Sequence, residues 1–400
     1  MKKVLILGGS SVQIPIIKKA RQMGHYVVVC DYLEENPGRH YAHEFHNIST
    51  TDKEKLYDIA AKLNIDAIVC YSSDTNAVPA AYVSEKLRLP THPYKSIEIL
   101  TNKEKFRGFL KENNFNTPRA KAFCCWKKAE GEIHRFKMPV MIKPVDSSGS
   151  KGVSKIDSID SLKEKVENAL NFSRENRFLI EEFIESKNYY HVGGEGFSVN
   201  GKLVFREYYN EHFPLESPNP FVSMGASYPI MLSDQIQKKI DAEIQRVLHL
   251  LDMKTGAYNF EIRIDDSDQV YLIEMAPRNG VGYQSLLKYT TNFDIDENVI
   301  NAALGHQIHH SPKYSKEYWG IYGFYSNENG IFKGIDIEEE FSKGNIVEFE
   351  LFVEPGEQIS KLRGAHDILG CMIFKFSCKK ELFEKIENMS EYVKVSLEDR

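Results

Sequence analysis

An α/β fold with α+β portions is predicted by three features of the sequence. From Lys3 to about Pro93, short apolar runs alternate with helical patterns, as expected of a parallel sheet covered on both faces. Farther along, GAYNFEIRID (Gly256 to Asp265) alternates apolar and polar residues with a period of two. After the turn residues DDSDQ a second run, Val270 to Pro277, completes an antiparallel hairpin. Between these regions lie a strand-rich stretch and one strongly amphipathic helix. With 400 residues and 42% apolar content, the chain can build two or three domains.

In the first region the predicted strands are Val4 to Leu7, Val27 to Cys30 and Ala67 to Cys70. The predicted helices run from near Val12 to Met23, from Asp52 to Leu63, and on to Leu87. Thr51 and Glu54 form a capping-box pattern for the second helix. Gly8-Gly9-Ser10-Ser11 follows the first strand but lacks the full G-x-G-x-x-G spacing. A packing turn or a small-ligand site therefore competes with a dinucleotide site. Thr101 to Asn113 reads as a helix boxed by Thr101 and Glu104. Lys103 lies in its first turn, where a cation opposes the helix dipole, and that cost points to a functional lysine, with a plain solvated lysine as the alternative. A small α/β unit follows, from about Phe115 to Glu185. Ser233 to Asp252 is the amphipathic helix, its core face formed by Ile236, Ile240, Ile244, Val247, Leu248 and Leu251. The last ninety residues mix strand-like runs, Ile346 to Val353 and Cys371 to Phe376, with a polar helix from Lys379 toward Tyr392.

The formal charge of -6 gives no bulk attraction to nucleic acid or anionic membrane, so any phosphate site has to be local. The six cysteines have neither zinc spacing nor the density of a secreted disulfide scaffold, which predicts reduced thiols in the cytoplasm. The opening MKKVLILGG reads as a buried first strand rather than a leader.

The chemistry concentrates in two places. In MPVMIKPVDSSGSKGV, Lys143 is a cation fixed at a strand end. Ser147, Ser148, Gly149, Ser150 and Gly152 let the backbone approach phosphate oxygens, and Lys151 adds charge. With the strand FLIEEFI about thirty residues later, this is how a nucleoside triphosphate is gripped between two sheets. In the hairpin, symmetric closure on Ser267-Asp268 puts Glu261 across from Glu274. Opposed β carbons lie about 4.5 to 5.5 Å apart, and two carboxylates there repel unless a cation such as Mg²⁺ joins them. A solvent-facing edge hairpin, or a bulge separating the two acids, is the structural alternative. Arg278, just after the second acid, is placed to hold a phosphate or carboxylate bidentately, or to brace the turn. Ser72, Ser73 and Asp74 follow the third strand at the carboxyl edge, where open α/β sheets bind ligands. Phe213 to Tyr228, with three prolines, reads as a substrate-covering loop or a plain connection.

Taken in order, TNKEKFRGFLKENNF, MPVMIKPVDSSGSKGV, FLIEEFIE, GAYNFEIRI and YLIEMAPRNG resemble the successive motifs of the ATP-grasp superfamily. More narrowly, they resemble its carboxylate-amine ligases, including L-amino acid ligases and carbamoyl-phosphate synthetase large-subunit modules. LILGGS and LRGAHDILG are similar to segments of that branch too. The resemblance implies a Rossmann-like pre-ATP-grasp domain at 1–95, a linker helix at 96–114, and an ATP-clamping lid domain at 115–185. A large antiparallel-sheet domain with the metal site at 186–310 and a C-terminal α+β subdomain at 311–400 complete it.

It further implies ATP and Mg²⁺ (or Mn²⁺) as cofactors. Lys103 and Lys143 would contact phosphates under a lid spanning Ser147, Ser148, Gly149, Ser150, Lys151, Gly152 and Val153. Glu181 would accept from the adenine amino group, with the Glu182-Phe183-Ile184 segment completing its recognition. Glu261 and Glu274 would be metal ligands. The position that often carries a third ligand is Ala276 here, which leaves Asn279 as the substitute. For the ribose, Glu185, Asn188 and His191 are candidates, with His191 favoured.

The implied reaction is phosphorylation of a carboxylate by ATP and amide formation from the acyl phosphate, with Lys143 and Arg278 as catalytic residues. Its partners would be small carboxylates and amines, with no nucleic acid or membrane, and a homodimer is an expected assembly, since dimers are common in this superfamily. A kinase or carboxylase of the same fold, or a non-catalytic nucleotide-binding protein, is the alternative.

Overall fold

The structure, a computed structural model, describes residues 1–186 and 188–398. Its first unit is a parallel sheet of β1 (Lys3–Leu7), β2 (Tyr26–Asp31), β3 (Glu44–Asn47) and β4 (Ala67–Cys70), in the order β3-β2-β1-β4. Val4 and Ile6 enter one apolar cluster while Leu5 and Leu7 enter another, so both faces are covered and the strand reads as one apolar run. β3, with sequence EFHN, lies at the sheet edge and is too polar to announce itself. The turn after β1 is filled by the chain itself. Gly9 N donates to Asp31 Oδ2 (2.7 Å), Gly38 N donates to Gly9 O (2.6 Å), and a Cβ on Gly9 would meet Asn36 Oδ1 at 2.0 Å. That favours the packing role of the glycines over a dinucleotide cradle.

Both expected capping boxes are corrected by one residue. The helix Lys53–Leu63 is capped by Asp52, whose side chain accepts from Lys55 N at 3.2 Å, while Glu54 bonds Tyr82 and Lys86. The helix Lys103–Glu112 is capped by Asn102, accepting from Lys105 N at 3.1 Å, and Glu104 turns away to Arg177. Asp and Asn are as good at the cap as Thr, so the adjacent candidate won in each case.

The second unit is a four-stranded antiparallel sheet of β5 (Ala120–Phe123), β6 (Val140–Pro144), β7 (Ser154–Ile156) and β8 (Phe178–Glu182), ordered β5-β8-β6-β7. The helix Leu162–Leu170 closes its core over Ile142, Phe178 and Ile180.

The third unit contains β9 (His191–Val199), β10 (Lys202–His212), β11 (Gly225–Tyr228), β12 (Gly256–Ile264), β13 (Val270–Ala276), β14 (Tyr318–Phe324), β15 (Gly330–Ile337), β16 (Ile346–Leu351), β17 (Gln358–Ile359), β18 (Gly370–Phe376) and β19 (Val393–Leu397). Eight of these form one antiparallel sheet, ordered β13-β12-β9-β10-β11-β14-β18-β16, and β17-β15-β19 form a small one. The large sheet runs through residue 310, so the expected subdomain at 311–400 shares its backbone ladder with the preceding segment. The helix Asp234–Leu250, capped by Ser233, buries Ile236, Ile240, Ile244, Val247 and Leu248 against Tyr258, Phe260 and Ile262. That leaves Asn259, Glu261 and Arg263 on the opposite face of β12.

Candidate active site

The two acids of the hairpin are opposed, by a route that differs from symmetric closure. Near the turn the pairs are Ile264 with Val270, Arg263 with Tyr271 and Ile262 with Leu272. A bulge then absorbs Ile273, after which Glu261 pairs with Glu274, Phe260 with Met275 and Asn259 with Ala276. Without the bulge Glu261 would face Ile273. The bulged carbonyl is not wasted, because Ile273 O accepts from Arg107 Nη1 at 2.9 Å.

Two lysines neutralise this pair. Lys103 Nζ lies 3.2 Å from Glu274 Oε2 and donates to Ser147 O at 2.8 Å. Burial works to strip its proton, but Glu274, Asp74 and Glu261 hold its pKa above the ordinary lysine value. Burial raises Glu261, with Lys143 pulling it back and Glu274 pushing it up again. A third acid beside them, Glu211 of β10, was missed in the sequence. Burial and then the nearby Glu261 push it up to about 8. Nothing in NEHF separates Glu211 from an exposed strand residue; only the pairing of β10 with β9 and β11 brings it here.

Lys143 is buried and forms an ion pair with Glu181, whose other oxygen accepts from Arg107 Nε at 2.9 Å. Burial would raise Glu181, yet Arg107 and Lys143 outweigh it and hold it down at about 2. The Glu181 carboxylate is thus a counter-ion with both oxygens engaged, each keeping a lone pair with which it could accept from an amino group. Arg107, one turn beyond Lys103, was not singled out in the sequence. Beyond β8, Glu182 N and Phe183 N donate to Arg119 O (2.9 Å) and Pro139 O (3.1 Å), and Ile184 is half-buried. His191 stands edge-on to Phe213 at 4.9 Å, and its Nδ1 is buried without a hydrogen-bond partner among the described residues. Burial, then Arg263 and Lys143, keep this imidazole neutral. Of the other ribose candidates, Glu185 and Asn188 are exposed.

Arg278 clasps Asp74 of the first unit. Its Nε reaches Oδ1 at 2.9 Å and its Nη2 reaches Oδ2 at 2.7 Å, with both side chains largely buried. Nη1 donates to Asn259 Oδ1 (3.3 Å) and Asn279 O (3.1 Å). Asn279 is corrected as a substitute ligand, because its amide donates to Ser72 Oγ (2.8 Å) and Gly280 O (3.0 Å), and its oxygen accepts from Ser72 N (3.3 Å). It ties the third unit to the first. The carboxamide opposite Ala276 is instead Asn259, which donates to Glu195 Oε1 at 2.7 Å. Glu195 is fully buried, accepts from Gly280 N, and is raised by burial to about 8.

The serine-glycine loop is docked on the third unit. Ala365 N donates to Gly149 O (3.0 Å), Ser150 Oγ donates to Phe221 O (2.6 Å), and the Asn219 amide donates to both Ser150 O (3.1 Å) and Arg363 O (2.7 Å). Gly149, Ser150 and Gly152 have φ of 65°, 57° and 71°. Contact is close enough that a Cβ on Gly364 would meet Lys151 Cγ at 2.7 Å. Lys151 and Val153 thus ride on a loop held from the segments Phe213 to Tyr228 and LRGAHDILG. A cavity of about 320 Å³ opens beneath it, lined by Asp74, Thr75, Lys103, Ser147, Ile273 and Glu274 among others.

A family profile described as the ATP-grasp domain matches residues 136–286. The formate-dependent phosphoribosylglycinamide formyltransferase of Prochlorococcus marinus is 26% identical over 188 residues, covering 46% of this chain and 48% of that protein. The chain thus matches about half the length of that relative. The formyltransferase of the same name from Bacteroides thetaiotaomicron is 24% identical over 412 residues, covering 99% of this chain and 100% of the relative. Among solved structures, the L-amino acid ligase of Bacillus licheniformis superposes with a TM-score of 0.79 at 19% identity, over 100% of this chain and 99% of that one. Residues 136–286 thus match the ATP-grasp domain, and over its whole length the chain shares the fold of the Bacillus licheniformis ligase.

Proposed function

We propose that the protein is an ATP-dependent carboxylate-amine ligase. A substrate carboxylate oxygen attacks the γ-phosphorus of ATP, the bond to the β-phosphate oxygen breaks, and ADP leaves. The amine nitrogen then attacks the acyl carbon, phosphate departs with its oxygen, and the nitrogen loses a proton to give the amide. The observation that carries this reading is the Glu261 and Glu274 pair facing Lys103 and Lys143 under a glycine-rich loop, with Arg278 at the far end.

The donor set suits Mg²⁺ held together with a nucleotide. Among the described residues no group of three or more His, Cys, Asp or Glu side chains is spaced to hold a metal by itself. Two opposed carboxylates are what Mg²⁺ takes from protein when phosphate oxygens and water fill its other positions. Mg²⁺ with ATP would supply the phosphoryl group and neutralise its charge. Glu261 and Glu274 would hold the ion, and Lys103 and Lys143 would turn from their present carboxylate partners to phosphate oxygens. The N–H groups of Ser147 to Val153 would close on the phosphates and exclude water that would hydrolyse an acyl phosphate. His191, with its unpartnered Nδ1, would meet the sugar, and the segment Glu182 to Ile184 would border the base.

The test is ADP release from ATP across a panel of small carboxylates and amines, with formate included because the named relatives are formate-dependent. Hydroxylamine would be added to trap acyl phosphate as a hydroxamate. ADP release requiring both an acid and an amine supports a ligase acting on small molecules. Phosphorylated acid accumulating at full rate without amine would instead support a kinase.

A further inference from the structure

Arg278 has four of its five N–H donors engaged in this structure. Nε and Nη2 are committed to Asp74, and Nη1 is shared between Asn259 and Asn279. Yet this guanidinium is within electrostatic reach of Glu274, and its partner Asp74 lines the same cavity as Lys103 and Glu274, which is where a substrate carboxylate needs a receptor. The paired group is itself a carboxylate, bound in the two-pronged geometry that a substrate carboxylate would adopt. It is delivered from a different unit of the fold, at the carboxyl edge of the first sheet just after β4.

We infer that Asp74 is an internal surrogate for the acid substrate, occupying Arg278 until a substrate carboxylate displaces it. This rests on the ligase reading above. The surroundings give the displaced side chain a destination, since Lys103 and the Ser148 hydroxyl of the loop both border Asp74. Exchange therefore moves a negative charge from Arg278 toward Lys103 and the loop, so that loading of the acid is felt at the lid and at the first unit together. It also keeps a buried guanidinium from standing uncompensated when the site is empty. Specificity follows from the same contact. An acid must out-compete a tethered carboxylate, which favours substrates that gain further contacts in the cavity over simple monocarboxylates.

The test is titration of the full-length protein with acetate at fixed ionic strength, followed by calorimetry, in the wild type, Asp74→Asn, Asp74→Ser and Asp74→Asn with Arg278→Met. Thermal melts check that each variant is folded, and Asp74→Ser stands in if the amide variant fails to fold. Removing the competing charge is expected to tighten acetate binding at least about tenfold, and removing Arg278 as well is expected to abolish the gain. Acetate binding that is unchanged or weaker in the folded Asp74 variants overturns the inference and makes the pair a fixed brace. The outcome does not depend on turnover: absence of acid- and amine-dependent ADP release in the wild type would count against the ligase reading alone.

Discussion

Lys143 shows how much a single residue's surroundings change an expectation. A strand-end lysine serving only phosphate would be replaceable without loss of fold, but this one is buried against Glu181. Deleting one partner of a buried pair costs about 3–5 kcal/mol, and Arg107, still on Glu181, brings the cost below that range. Lys143→Ala is therefore expected to lower the melting temperature as well as to reduce turnover by a factor on the order of 10² or more. Lys143→Met, which keeps an apolar stem and leaves Glu181 paired with Arg107, should recover much of the stability and none of the turnover, as read by thermal melts alongside ADP release.

Glu207 provides a second test at this scale. It is almost wholly buried, one carboxyl oxygen lacks a hydrogen-bond partner among the described residues, and burial raises it to about 8. Because the folded value exceeds the unfolded one of 4.5, the native state keeps a proton that the unfolded chain releases. Its contribution is full below about 4.5 and is lost as pH rises to about 8. Glu207→Gln should flatten the fall in melting temperature between pH 5 and 8, and an unchanged slope would assign that pH dependence elsewhere.

At the scale of elements, the hairpin and the loop dominate. If Glu261 and Glu274 share one ion, then Glu261→Gln, Glu274→Gln and the double variant should be strongly non-additive in the Mg²⁺ concentration needed for turnover. Additive effects would mean separate roles. The loop is tied to the third unit through Asn219, so Asn219→Ala is expected to speed proteolysis within Ser147 to Val153. It should also raise ATP hydrolysis in the absence of amine by several-fold, as water enters a looser site.

These two elements also mark what could be read in advance. The alternation in GAYNFEIRID revealed which face carries acid, because burial of Tyr258, Phe260 and Ile262 is a local pattern. The bulge at Ile273 was invisible, since it depends on Arg107 arriving from a helix far back in the chain. The loop's glycines were legible, and the segments around Asn219 and Ala365 were noted, but lying about seventy and over two hundred residues later they gave no sign of docking against it. Asn279 was misread because an amide beside a metal acid looks the same in sequence whether it faces the acid or, as here, Ser72.

At the scale of the molecule, strand and helix periodicity recovered the parallel first unit and the small clamp. It missed that β14, β16 and β18 extend the same sheet as β12 and β13. Sheet continuity across long connections is a non-local property, written in hydrogen bonds rather than in composition. The consequence is mechanical. The loop's anchor at Ala365, a few residues before β18, and the acids on β12 and β13 belong to one unit, while Lys143 and Asp74 come from two others. The proposed chemistry draws on residues of all three units, and Arg278 with Asp74 is where two of them touch. The most direct check of that account is the rate of ADP release measured with ATP and Mg²⁺ while acid and amine are supplied singly and together. The account predicts little release with either alone, rapid release with a cognate pair, and hydroxamate when hydroxylamine replaces the amine. Release that is indifferent to both would contradict it.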